Sequence, residues 1–173
     1  MALSSEINPR DFPLTPMNPN SLYHKLNGFL AFIAGGLRSL FLLIIRLYWG
    51  WGFFQTGKGK LMNLDKTAGY FESLHIPAPK LNAIMAGSVE CIGGLLLLVG
   101  LGGRIVPLPL IATMVVAYLT TETEALHAIT TDPDKFVSAA PFLFLLAAVI
   151  IFIFGPGKFS IDAIIAKKES SEV

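Results

Sequence analysis

Long runs of apolar residues alternate with short polar stretches, and four of the runs have membrane-spanning length, about 20 residues or 30 Å as helix. The first covers residues 36–56 around LRSLFLLIIRLYWGWGFF, and the second covers 81–100 within LNAIMAGSVECIGGLLLLVG. The third, residues 105–121, carries Pro107 and Pro109 where a first helical turn tolerates proline. The fourth, residues 137–154, stops at Gly155-Pro156-Gly157. This pattern predicts an all-α membrane protein, a four-helix transmembrane bundle. The short turn Leu101-Gly102-Gly103-Arg104 makes the second and third helices antiparallel neighbours.

The segments between the runs carry patterns of their own. Leu61, Leu64, Ala68, Phe71 and Leu74 recur at helical spacing with Asp65, Lys66 and Glu72 between them, which predicts a short interfacial helix in the first loop. Leu22, Leu26, Phe29, Leu30 and Ile33 form an amphipathic lead-in over 21–35, either a surface helix or an extension of the first span. Before it, Pro9, Pro13, Pro16 and Pro19 favour an extended arm over 1–20, with no basic start or apolar core of a signal peptide. Residues 161–173 read as a polar tail following a membrane domain over 36–160.

Composition agrees with a lipid solvent. Charged residues are 14% of the chain against roughly 25% in soluble domains, 53% of residues are apolar, and the mean hydropathy is +0.63. A net charge of +1 without a basic stripe argues against nucleic acid as a partner. The single cysteine, Cys91, excludes an internal dithiol. Four spans put both termini on one side. That side carries Arg10, Lys25, Arg38, Arg104, Lys158, Lys167 and Lys168, and the other carries Lys58, Lys60, Lys66, Lys80 and Lys135. The small excess points to cytoplasmic termini; the membrane expected is a bacterial inner membrane.

Two charges fall inside the predicted spans, Arg46 in the first and Glu90 in the second. A charge at mid-bilayer costs about 3 kcal/mol on insertion scales, so each needs a partner. Matching depth on antiparallel neighbours makes an Arg46–Glu90 ion pair the simplest arrangement, serving as a structural lock or as the polar floor of a ligand site. Gly50 on one helix and Ala83, Gly87, Cys91 and Gly94 on the other form small faces suited to close approach. At the loop-one end, Trp49, Gln55, Lys58 and Lys60 gather with Glu122, either as interfacial anchors or as a mouth for a quinone or lipid head group. There, Lys58 or Lys60 is within reach of Glu122.

Metal chemistry is thinly represented. Glu124-x-x-His127 is half of a di-iron motif whose second copy is missing. His24, His75 and His127 leave a chlorin or haem contact as an alternative. No catalytic constellation and no intrinsic cofactor are expected, which leans away from an enzyme.

Taken together, Arg46-Leu47 with Gly50, Phe53, Gly57 and Lys60, then Ile76-Pro77-Ala78-Pro79, then Glu90 with Gly93-Gly94 and Gly100, form an ordered set. With Pro141-Phe142 and Phe154-Gly155-Pro156-Gly157-Lys158-Phe159-Ser160, the set resembles the DoxX-like integral membrane protein family over residues 38–162. The arm before Ser21 has no counterpart in that likeness. The resemblance implies a four-helix fold and association with quinone-linked oxidase, thiosulfate-oxidising or oxidative-stress complexes of the membrane. The leading expectation is an accessory subunit of a respiratory or photosynthetic electron-transfer complex, with residues 1–20 docking other membrane subunits. Alternatives are a quinone-linked oxidoreductase component with its site around Arg46 and Glu90, and a small carrier for a lipid or apolar solute.

Overall fold

The structure, a computed structural model, describes residues 22–171. The expected arm over 1–20 lies outside the described residues. The elements are α1 (Leu22–Met62), α2 (Leu64–Ser73), α3 (Pro79–Val99), α4 (Pro107–Thr120), α5 (Thr123–His127), a 3₁₀ turn (Ala128–Thr130), α6 (Pro133–Ser138), α7 (Pro141–Phe154) and α8 (Ile161–Glu169). No strand occurs among the described residues. The chain divides into two units between Gly36 and Leu37. In the first unit the lead-in is helical from Leu22, and Leu26, Phe29, Leu30 and Ile33 are exposed.

The second unit is built around α1 from Leu37 onward, α3, α4 and α7. Phe53, Leu97, Leu110, Met114, Ala148 and Ile151, one or two from each of these helices, form its buried core. Among the described residues two helices are long and apolar enough to cross a bilayer, α1 and α3. The third and fourth apolar runs yield shorter helices than expected. Each has 14 residues, about 21 Å at 1.5 Å per residue.

The reasons are local. Residues 102–106 form a hydrogen-bonded turn (Ile105 N donates to Gly102 O at 2.9 Å), so helix starts only at Pro107. In the fourth run Ala139 is extended (φ −64°, ψ 142°), and the helix restarts at Pro141, which has no N–H to continue the preceding one. The first run, by contrast, continues past the expected Thr56 to Met62, carrying Lys58 and Lys60 on helix rather than on loop.

The helix of the first loop is present as α2, packed against α3. Leu64, Ala68 and Phe71 turn inward to partial burial, while Asp65 and Glu72 are exposed, as their spacing predicts. An exposed Asp65–Lys80 pair at 3.1 Å ties α2 to the start of α3. Residues 161–169, read as polar tail, are helical. Ser160 caps α8 by accepting from Ala163 N.

Candidate functional site

The axial register of α1 against α3 decides which charged groups meet, and glycine sets it. A methyl at Gly57 would overlap Cys91 N and stand 2.6 Å from Gly87 O. One at Gly94 would overlap Phe54 N and stand 2.7 Å from Gly50 O, and one at Gly50 would lie 3.1 Å from Leu98 N. The two backbones therefore touch along an antiparallel seam, Gly50 against Gly94 and Leu98, Gly57 against Gly87 and Cys91. In this register Arg46 stands level with the Leu98–Gly100 end of α3, and Glu90 level with Thr56. The ten residues from Arg46 to Thr56 amount to about 15 Å along α1.

The expected Arg46–Glu90 pair is therefore not formed. Arg46, 1% exposed, donates from Nε to Leu97 O (2.9 Å) and from Nη2 to Leu98 O (2.9 Å). From Nη1 it donates to Pro156 O (2.6 Å) and Phe159 O (2.9 Å). Helix α3 ends at Val99, so Leu97 and Leu98 are among its last carbonyls, which have no partner within the helix. A cation there meets the negative end of the helix dipole and satisfies carbonyls at once. Asp162 adds an attractive charge nearby. It accepts from Gly102 N (2.9 Å) and Gly103 N (2.8 Å), fastening α8 to the α3–α4 turn. Gly100 is required in this knot. Its φ is +71°, and a side chain would run into the Arg46 guanidinium at 2.6 Å.

Glu90, 2% exposed, is paired instead with Lys60, whose Nζ donates to Oε2. Lys60 reaches this carboxylate because α1 continues one and a half turns beyond Thr56. The pair lines a cavity of about 600 Å³ bounded by α1, α2, α3, α4 and α7. The widening between α3 and α4 has a physical origin. Near the α3–α4 turn Gly93 lets Leu110 close in, with a Cβ at Gly93 only 3.0 Å from the leucine side chain. Farther along, Val89 and Glu90 on α3 and Thr113 and Ala117 on α4 face the open space. Tyr70 and Phe71 of α2 border the same cavity. Thr56 and Thr113 turn their hydroxyls to Phe53 O and Leu110 O in their own helices, so both donors are already engaged. Lys60 keeps two ammonium hydrogens beyond the one given to Glu90.

The residues expected to form one mouth separate. Lys60 and Glu122 border the cavity, although Lys60 bonds Glu90 and not Glu122. Trp49 lies in a different, shallow aromatic groove, edge-on to Phe144 at 4.8 Å. Gln55 is exposed, and Lys58 sits over the Phe54 ring at 5.9 Å. Gln55 and Lys58 point elsewhere because they are not on the helix face that carries Thr56 and Lys60, whereas Trp49 shares that face but lies seven residues before Thr56, about 10 Å along α1. Among the described residues no group of three or more His, Cys, Asp or Glu side chains comes together. Outside the helices of the bundle, Glu124 pairs with Lys135 at 2.8 Å. That hydrogen bond and charge hold the Glu124 carboxyl below, and the Lys135 ammonium above, their ordinary values.

The DoxX family model matches residues 41–123, which contain the glycine seam, Arg46, Lys60, Glu90 and Glu122. An uncharacterized membrane protein of Mycobacterium tuberculosis is 31% identical over 141 residues, 75% of this chain and 83% of that protein. The chain is a member of the DoxX family. It is an integral membrane protein, and its apolar surface is accounted for by a lipid bilayer. No solved structure matches this DoxX protein. The matched segment ends before α6, α7 and α8, so the carbonyls of Pro156 and Phe159 that complete the Arg46 knot come from outside it.

Proposed function

We propose that this DoxX protein is an accessory subunit of a membrane electron-transfer complex that holds a quinone head group in the Lys60–Glu90 cavity. The observation that carries the reading is one ion pair on a largely apolar cavity, its carboxylate buried and its lysine partly exposed. Lys60 has hydrogens to give to a ring carbonyl, Glu90 fixes the lysine in place, and Val89, Met114 and Phe144 offer apolar wall. The earlier candidate around Arg46 is set aside, because four carbonyls already take that guanidinium.

All four of α1, α3, α4 and α7 belong in the bilayer on this reading. Leu108, Val116 and Leu119 on α4 and Leu143, Leu146 and Ile153 on α7 are exposed apolar side chains that lipid would cover. Both termini then share one side. Chemistry on the bound ring belongs to a partner subunit, reached through residues 1–20.

Purification in mild detergent followed by native mass spectrometry tests the proposal. A quinone retained at unit stoichiometry, lost in Lys60→Met, and redox subunits that co-purify are expected. Retention of phospholipid alone in the cavity would overturn the quinone assignment, and absence of any co-purifying redox protein would overturn the subunit role.

A further inference from the structure

The end of the bundle opposite the cavity is strongly basic. The α3–α4 turn meets the segment from α7 to α8 there, tied by Asp162 to Gly102 and Gly103 and by Arg46 to Pro156 and Phe159. Around these turns Arg38, Arg104, Lys158, Lys167 and Lys168 are all exposed. Arg38 also donates to Phe154 O at 3.0 Å, which places it beside the end of α7. The described acidic residues at this end are Asp162 and Glu169, and Asp162 is already held by two backbone amides. At the other end, Asp65, Glu72, Glu122, Glu124, Asp132 and Asp134 outnumber the lysines. Among the described residues from Leu37 onward, the two ends therefore carry opposite charge.

Helix α8 adds an apolar stripe to the basic end. Ile161, Ile164 and Ile165 follow the i, i+3, i+4 spacing of one helix face and are 37%, 69% and 45% exposed, with Phe159 before them 59% exposed. Asp162 and Ala163 lie on the partly buried side. Lys167 and Lys168 flank the stripe at its C-terminal end, where long stems let ammonium groups rise to the headgroup level. The exposed isoleucines and the lysines at the C-terminal end of α8 set an apolar edge beside a basic one.

We propose that α8 and the adjoining turns form a docking face for anionic phospholipid headgroups. The isoleucines enter the acyl boundary, and the surrounding arginines and lysines meet the phosphates. This end then faces the leaflet richer in anionic lipid. The inference is independent of what the cavity holds, since it draws only on α8, the turns and the membrane location.

The full-length protein is exchanged into micelles containing equal phosphatidylglycerol and phosphatidylcholine, and retained lipid is read by native mass spectrometry. Each lysine near an anionic surface gives a preference on the order of fivefold. Wild type is therefore expected to favour phosphatidylglycerol, and the exposed-site variant K158Q/K167Q/K168Q to lose that preference by about tenfold or more. K58Q/K66Q, which removes two positive charges from the opposite end, is expected to keep it. The proposal is overturned by equal retention of the two lipids in wild type, by an unchanged preference in the triple variant, or by an equal loss in both variants.

Discussion

Two buried charges sit on one helical seam and have opposite fates. Arg46 is closed off. Its guanidinium is shared among carbonyls from the end of α3 and from the turn after α7. Glu90 is met by one lysine that is itself 29% exposed, beside an open cavity. A charge that ends a helix and joins two chain segments is an architectural part. A charge paired once, next to space, is available to a ligand. Burial alone does not distinguish them, since both residues are at most 2% exposed. The number and kind of partners does.

The largest effect expected from this contrast is at Arg46. Arg46→Met removes the guanidinium donors and takes that partner from the partly buried Leu98, Pro156 and Phe159 carbonyls, each worth about 1–3 kcal/mol when unsatisfied, while Leu97 O keeps Gly100 N at 3.1 Å. A loss of about 4 kcal/mol or more in unfolding free energy in detergent is expected, with loosening of α8 detectable as faster proteolysis near Lys167. A variant as stable as wild type would break the distinction between the two charges.

Next comes the seam that sets their levels. Gly57→Ala and Gly94→Ala each place a methyl against backbone, which cannot swing aside as a side chain can. Overpacking of this kind costs about 1–3 kcal/mol. Gly59→Ala, where nothing lies within 4 Å, serves as the control and is expected to leave thermal stability unchanged or raised. Equal losses at all three sites would mean that helix flexibility, not close approach, explains the effect.

Glu90→Gln is expected to disturb folding less than either. Lys60, once released, is exposed enough to turn its ammonium toward water, so a loss below about 1.5 kcal/mol is expected in place of the 3–5 kcal/mol typical when a fully buried partner is stranded. Ligand retention is expected to fall with little change in melting temperature. A destabilisation as large as that of Arg46→Met would place Glu90 in the architectural class as well.

Much of this arrangement is legible in the chain itself. Apolar runs mark the four principal helices, the 61–74 spacing marks α2, and the positions of Arg46 and Glu90 mark them as exceptional. Register is harder, because helical periodicity says which face a residue occupies and nothing of its height against a neighbour. Span midpoints put Arg46 opposite Glu90. A better signal was present in the glycines, since Gly50 and Gly57 are seven residues apart, as are Gly87 and Gly94. Aligning those pairs antiparallel brings Arg46 to Leu98 at once. The carbonyl partners after α7 were not legible, because backbone acceptors carry no side-chain signature. The extent of α1 past Thr56 was hidden by Gly57 and Gly59, which resemble a breaker although Gly57 is a packing residue.

The smallest effect separates these interior pairs from a solvated one. Glu124 and Lys135 bond across the polar end at 2.8 Å, with both side chains substantially exposed. Since the folded Glu124 carboxyl titrates below its ordinary value, its contribution is present above the usual carboxylate range and fades as pH falls through the lowered value. Lys135 titrates above its ordinary value, so its share is present below the usual lysine range and is lost as pH rises through the raised one. The pair is therefore intact across the whole neutral window. Comparing Glu124→Gln with wild type by thermal unfolding is expected to give a small difference that is flat around neutrality, shrinks in acid and shrinks again in added salt. Glu90→Gln, whose carboxylate sits out of reach of screening ions, is expected to keep its difference from wild type in the same salt. If salt reduces both differences alike, Glu90 is open to water and the cavity is wet at the level of the pair.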